Sequence, residues 1–433
     1  MSDSHRELAE AGWRWVLDQL VWDADGPWLP ETVPHDDVRP ATYLGLHSGL
    51  GGLAHVLAEV RLARPWTTAE GRLAEAIVER LADDCATATE YDLFDGAAGH
   101  VDALLALGAD PTPGVRRLLD LATPDGWPQQ HVGPPRYADG ARLSDATIGT
   151  AGVLLAGLWA RRHGVAGAGE LARHAAGVLA AEAAAAPSGV TWRFVPVRFH
   201  REPRSEMPNW SHGLAGIAAA VALAGGELDR PDLLALGRAG AEQLVALGTH
   251  DDAGFRVPRQ VPPVDSVVTF AWGWCHGPSG TSSLFAALDH LGVEEVAGTA
   301  PRVWRARCWD AVRGSGIPAR LKPGFWDNDG RCCGTAGVVD LALDAGEVGF
   351  AVRLGDALVE RAERDGDRAW WRFVEPTADD PLLPPGTGWM QGAAGIAAAL
   401  FRLARGTGPD RDLTRVPRAD TWWAGPPAFS AGS

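Results

Sequence analysis

The chain has 433 residues, 46% of them apolar and 22% charged, and a formal net charge of −16. That is the composition of a globular protein with a sizeable core, and its acidity disfavours nucleic acid and anionic membrane, which are bound through basic patches. A basic or neutral partner, or simply a solubilised surface, suits it better.

The N-terminus, Met-Ser-Asp-Ser-His-Arg-Glu, runs directly into an amphipathic pattern through Leu8, Trp15 and Leu20. It has no apolar signal core, and no run approaches the ~20 apolar residues of a membrane span. The five cysteines include an adjacent pair, Cys332 and Cys333. An odd count with that spacing is not a disulfide framework; it fits a reducing cytoplasm with thiols kept for chemistry or metal.

Residues 1–40 read as an N-terminal helix and lead-in. From 41 to 405 one pattern recurs seven times: polar residues, a G-x-x-G step, then an apolar helix. The steps begin at Gly49, Gly96, Gly149, Gly213, Gly277, Gly334 and Gly392. Apolar spacing after them is helical, as in Leu50, Leu53, Leu57 and Val60. Polar amphipathic runs lie between them: Leu73 to Leu81, Glu170 to Glu182, Asp232 to Leu247 and Val348 to Arg361. Buried helices alternating with amphipathic ones predict an all-α protein, an α/α toroid of seven inner and seven outer helices. The residues before each glycine would then gather at one end of the ring. Thr191 to Pro196 and Trp370 to Pro376 alternate in a way that suits short β segments in rim loops. Most of the nineteen tryptophans should cap and fill the ring. The tail, 406–433, is rich in Pro, Gly and charge and reads as a wrapping or poorly ordered segment.

Two of the seven steps carry sulfur. Cys275 precedes Gly277, and Cys332 and Cys333 precede Gly334. A helix start favours a thiolate through its N–H groups and dipole. Three such thiolates, brought together, would form a zinc site with one position open. Three buried core thiols are the alternative. Cys85 and Cys308 fall on outer-helix patterns and read as core.

Trp274-Cys275-His276-Gly277, Cys332-Cys333-Gly334 and Ser211-His212-Gly213, in that setting, resemble the LanC-type lanthionine synthetase cyclases from about Thr42 to Leu403. The resemblance implies an α/α toroid with a central zinc ion (Zn2+). It also implies a reaction, addition of a cysteine thiol to dehydroalanine or dehydrobutyrine in a ribosomal peptide to form (methyl)lanthionine. By position, Cys275, Cys332 and Cys333 match the metal ligands, with Cys333 where the family usually has histidine. His212 matches the catalytic histidine and Asp92 an aspartate of the second repeat. Some relatives carry an arginine four residues before the first ligand; here that residue is Ala271.

On this reading zinc lowers the pKa of the incoming thiol, and three thiolate ligands make the bound thiolate more nucleophilic than a Cys-Cys-His set would. His212 is the best candidate to protonate the α-carbon. Asp92 could orient it, and His276 or a water could deliver the proton instead. His47, Asp95 and Asp145 occupy similar pre-glycine positions without an assigned role. The expected partner is a dehydrated precursor peptide made by a separate dehydratase or kinase/lyase system, since nothing before Thr42 is long enough for such a domain. Rival readings are a relative that adds glutathione to dehydroamino acids, a zinc-containing peptide binder without turnover, and a toroid sugar hydrolase built on a pair of carboxylates.

Overall fold

Each of the seven G-x-x-G steps opens a helix. The computed structural model describes residues 2–35, 38–129, 132–200, 205–265, 267–320, 328–375 and 380–425. A first helix, α1 (Ser2–Asp18), precedes seven inner helices: α2 (Leu50–Ala63), α4 (Ala97–Leu107), α6 (Thr150–Arg162), α8 (Leu214–Glu227), α10 (Pro278–His290), α12 (Thr335–Asp344) and α14 (Ala393–Thr407). Outer helices alternate with them: α3 (Thr68–Asp84), α5 (Thr112–Leu121), α7 (Ala168–Glu182), α9 (Pro231–Leu247), α11 (Pro301–Gly314) and α13 (Val348–Arg361). Each inner helix packs on the next, and α14 packs on α2, which closes the ring. Helix α1 packs on α14 and α13, so the N-terminal lead-in supplies the seventh outer helix. The architecture is an α/α toroid. Among the described residues no helix is long and apolar enough to cross a membrane.

The inner helices are apolar on nearly every side, as at α8, whose residues Leu214 to Gly225 are all buried. Small residues allow that closeness. A Cβ on Gly337 would stand 1.9 Å from the Arg331 carbonyl oxygen, and one on Gly334 would stand 2.3 Å from the Asn328 carbonyl oxygen. The backbone at Gly334 is extended, so these glycines are required by space rather than by dihedral angle.

The turns before the inner helices are stitched into a closed circle. Leu46 and His47 N–H donate to Phe94 O, and Leu93 and Phe94 N–H donate to Thr147 O. The Thr147 hydroxyl oxygen lies 3.4 Å from Ser211 O. Ser211 N–H then donates to Cys275 O, Cys275 N–H to Cys332 O, Cys332 N–H to Met390 O, and Met390 N–H to His47 O. Seven repeats thus meet at one end through bonds between neighbours.

Strands are short and confined to the rim, in five two-stranded antiparallel sheets among the described residues. They pair β1 (Val21–Asp23) with β2 (Gly26–Trp28), β3 (Ala184–Ala186) with β4 (Gly189–Thr191), and β5 (Thr249–Asp251) with β6 (Gly254–Arg256). The last two pair β7 (Glu363–Asp365) with β8 (Arg368–Trp370) and β9 (Arg372–Val374) with β10 (Leu382–Pro385). The rim segment predicted from Thr191 holds only the end of β4, whereas that from Trp370 carries the end of β8 and all of β9; its last residue, Pro376, lies outside the described residues. Tryptophans tie this rim to the outer helices. The indoles of Trp127, Trp192 and Trp371 donate to the carbonyls of Leu118, Leu179 and Leu358.

The described part of the tail is packed against the ring. Helix α14 continues through Thr407, and the following chain enters the hub of the ring, where Val416, Ala419, Thr421, Trp423 and Ala424 are buried. Residues 426–433 lie outside the described part.

Candidate metal centre

The fold makes neighbours of the fifth and sixth turns. Cys275 stands three residues before the first residue of α10, and Cys332 and Cys333 stand three and two residues before the first residue of α12. The three Sγ atoms lie within 4.8 Å of one another, with Cys275 and Cys333 3.5 Å apart. Among the described residues this is the one group of three or more His, Cys, Asp or Glu side chains so placed. Cys275 and Cys333 are buried and Cys332 is half-buried.

The donor set fits zinc. Tetrahedral coordination at ~2.3 Å per Zn–S bond places ligating sulfurs roughly 3.8 Å apart, close to the spacing seen. The cluster is also poised to ionise. Hydrogen bonds with Cys332 and Cys333 hold the Cys275 thiol far below the usual thiol range, against the effect of burial. Burial pushes the Cys333 thiol up. One thiolate shared by three sulfurs is the arrangement a divalent cation would complete. Cys85 and Cys308 stand apart from it, both buried, with burial pushing Cys85 up to about 12 and Cys308 higher still.

Helix-start N–H groups do not supply the expected stabilisation at α12. Thr335, Ala336 and Gly337 N–H donate to the carbonyls of Asn328, Asp329 and Gly330 at 2.9, 3.1 and 3.4 Å. The loop that leads into the helix consumes those donors, so the sulfurs depend on one another.

His212, one turn further round the ring, sits beside this cluster, and its imidazole centroid is 5.7 Å from that of His276. Its Nδ1 lies 2.7 Å from Asp145 Oδ2. The Thr147 hydroxyl donates to the same carboxylate oxygen at 2.7 Å and lies 3.2 Å from Nδ1. Phe194, from the rim, packs edge-on against the ring at 5.6 Å. Burial opposes the charged form of His212, but the bond and charge of Asp145 outweigh it and raise its pKa. The side chain remains 28% exposed, which leaves Nε2 as the nitrogen facing the opening. His276 goes the other way. Burial lowers its pKa against the pull of Cys275, and its Nδ1 is buried with no hydrogen-bond partner. Asp145 thus favours the charged form of one imidazole, and burial favours the neutral form of the other.

The carboxylate on His212 is Asp145, not Asp92. Asp92 Oδ1 instead accepts the N–H groups of Phe94 and Asp95 at 2.9 and 2.8 Å, which fixes the turn before α4. Burial pushes Asp92 up to about 7. Both aspartates stand four residues before the first glycine of their steps. Register alone does not separate them; position in the ring does, because the third repeat abuts the fourth, which carries His212. Ala271, at the position where some relatives carry arginine, is buried.

A family model described as "Lanthionine synthetase C-like protein" matches residues 40–415. No curated protein matches the chain. Among solved structures, a nisin cyclase aligns at 14% identity and a TM-score of 0.47, covering 84% of this chain and 89% of that one. An unsaturated glucuronyl hydrolase from Bacillus sp. GL1 aligns at 13% identity and a TM-score of 0.46, covering 94% and 97%. A second such hydrolase, from Streptococcus agalactiae, aligns at 8% identity and a TM-score of 0.46, covering 94% and 92%. Likenesses this distant carry no argument about chemistry.

Proposed function

This chain belongs to the lanthionine synthetase C-like proteins, and on that footing we propose that it is a zinc-dependent cyclase. It adds a cysteine thiol of a dehydrated ribosomal peptide to a dehydroalanine or dehydrobutyrine and forms a (methyl)lanthionine ring. The observation that carries this reading is the convergence of three buried thiols with a carboxylate-bound histidine.

Cys275, Cys332 and Cys333 would hold the ion and leave one of four tetrahedral positions for substrate. When bound, zinc lowers the pKa of the substrate thiol so that the thiolate exists at neutral pH. The remaining work belongs to the protein. Asp145 holds Nδ1–H of His212 and favours the charged ring, so Nε2–H is the proton to be given. As the C–S bond forms at the β-carbon the C=C bond becomes an enolate, and Nε2 protonates its α-carbon. The proton lost by the substrate thiol balances the one gained at carbon. His276, kept neutral by burial, can receive the thiol proton. Asp92 is the weaker candidate for any proton, since its carboxylate is bound to backbone N–H groups.

The test is zinc content together with turnover. Wild-type protein should carry one zinc per chain, lost in Cys275→Ala and Cys333→Ala, and should close thioether rings in a peptide already containing dehydroalanine. A metal-bearing protein that consumes glutathione but leaves the peptide open would assign it instead to glutathione addition. Absence of zinc from the wild type would sink the reading.

A further inference from the structure

The chain beyond α14 is bonded to inner helices all round the hub. Val416 N–H donates to Glu59 of α2, Ala419 N–H to Asp102 of α4, and the Trp423 indole to Ser283 O of α10, at 3.2, 2.9 and 3.2 Å. Arg415 pairs with Asp344 of α12 at 3.0 Å. Arg162 of α6 lies 4.2 Å from the Trp422 ring. The burial of this polar segment is therefore matched by charges and donors on helices that are otherwise apolar.

These bonds converge on Asp340, in the second turn of α12. Its Oδ1 accepts Arg402 of α14 at 2.6 Å, and its Oδ2 accepts both Arg331 and, at 3.4 Å, Arg418 of the tail. Arg331 is the residue immediately before Cys332. Its N–H donates to Met390 O at 2.8 Å, and its guanidinium lies 4.0 Å from the Trp389 ring. Arg418 lies 5.5 Å from the same ring. Main chain and side chain of Arg331 are thus both held, one by the neighbouring repeat and the other by a carboxylate that the tail also grips.

We propose that Asp340 is a positioning residue for Cys332 and Cys333, and that the C-terminal segment braces it through Arg418. The proposal rests on the metal reading above. A ligand pair is held to its geometry by the groups behind it, and loss of such support costs metal affinity roughly 10- to 100-fold where it bonds directly to a ligand. The brace here acts one residue away, through Arg331, so the lower end of that range applies.

The experiment is competition for zinc between the full-length protein and a chromophoric chelator, with the cobalt(II)–thiolate absorption band as a second readout. Asp340→Asn should weaken zinc binding about tenfold and shift the cobalt band. Arg418→Met should weaken it severalfold and Arg418→Lys should restore most of the loss. Arg405→Met is the control, because Arg405, in the last turn of α14, grips Asp412, Thr414 and Glu59 rather than Asp340; it should lower stability and leave zinc affinity unchanged. If Asp340→Asn does not fold, the two Arg418 variants and the control decide alone. Wild-type affinity in Arg418→Met, or equal loss in Arg405→Met, overturns the brace while leaving the zinc reading intact. A wild type that binds no zinc removes both.

Discussion

His212 and Asp145 form the pair whose chemistry is most open to test. A group that must give a proton works below its pKa and fails as pH rises through it. Asp145 raises the His212 pKa, so Asp145→Asn lowers it and moves the alkaline limb of the rate profile to lower pH. At neutral pH the rate should fall roughly ten- to hundredfold, with zinc content unchanged. A profile identical to wild type would mean another group supplies the proton. Asp92 predicts the opposite behaviour. Its folded pKa, about 7, is raised above the unfolded value. The stability this confers is present below pH ~4 and lost as pH rises through about 7. Asp92→Asn keeps an acceptor for Phe94 and Asp95 without the buried charge. It should therefore melt at a higher temperature than wild type at pH 8, match it near pH 4, and keep its rate. A large loss of turnover would return Asp92 to the chemistry. The two aspartates share one register in the sequence, and only the order of repeats around the closed ring tells them apart.

At the scale of elements, the glycine steps were legible because their cause is local. The second glycine of each step lies against the turn that leads into its own helix, so spacing within six or seven residues announces the architecture. Gly337→Ala tests that cause where it touches the site. Its Cβ would collide with the Arg331 carbonyl, one residue from Cys332. The expected cost is about 3 kcal/mol or more, measured by chemical denaturation, with a parallel loss of metal. Retained stability would show that the turn can give way. The place where the tail packs was not legible, for the converse reason. Pro, Gly and charge signal exposure only when no complementary charge awaits them, and the complement here is scattered over Glu59, Asp102, Asp340 and Asp344. Those are acids on helices otherwise rich in Ala, Leu, Val and Gly. Acids on an apolar inner helix were the available sign that something polar must enter the hub.

For the whole molecule, the circle of hydrogen bonds between turns joins the first repeat to the last, and the cysteine cluster straddles one seam of it, Cys275 to Cys332. A metal held across that seam binds only the closed ring, so it adds to stability by mass action. Removing zinc with a chelator should lower the melting temperature by several degrees. The difference should widen from pH 6 to pH 8, because the thiols still protonated must release protons to bind. A melting curve indifferent to chelator would mean that the seam holds without the ion.

The filled hub makes the toroid a cup rather than a pipe. On the proposed reading, a polypeptide with several reactive residues would not be drawn through it like thread through a bead. Each segment would enter and retreat by one opening, past the same pair of imidazoles. The peptide's own length and slack, more than any ratchet in the protein, would then govern which ring is closed next.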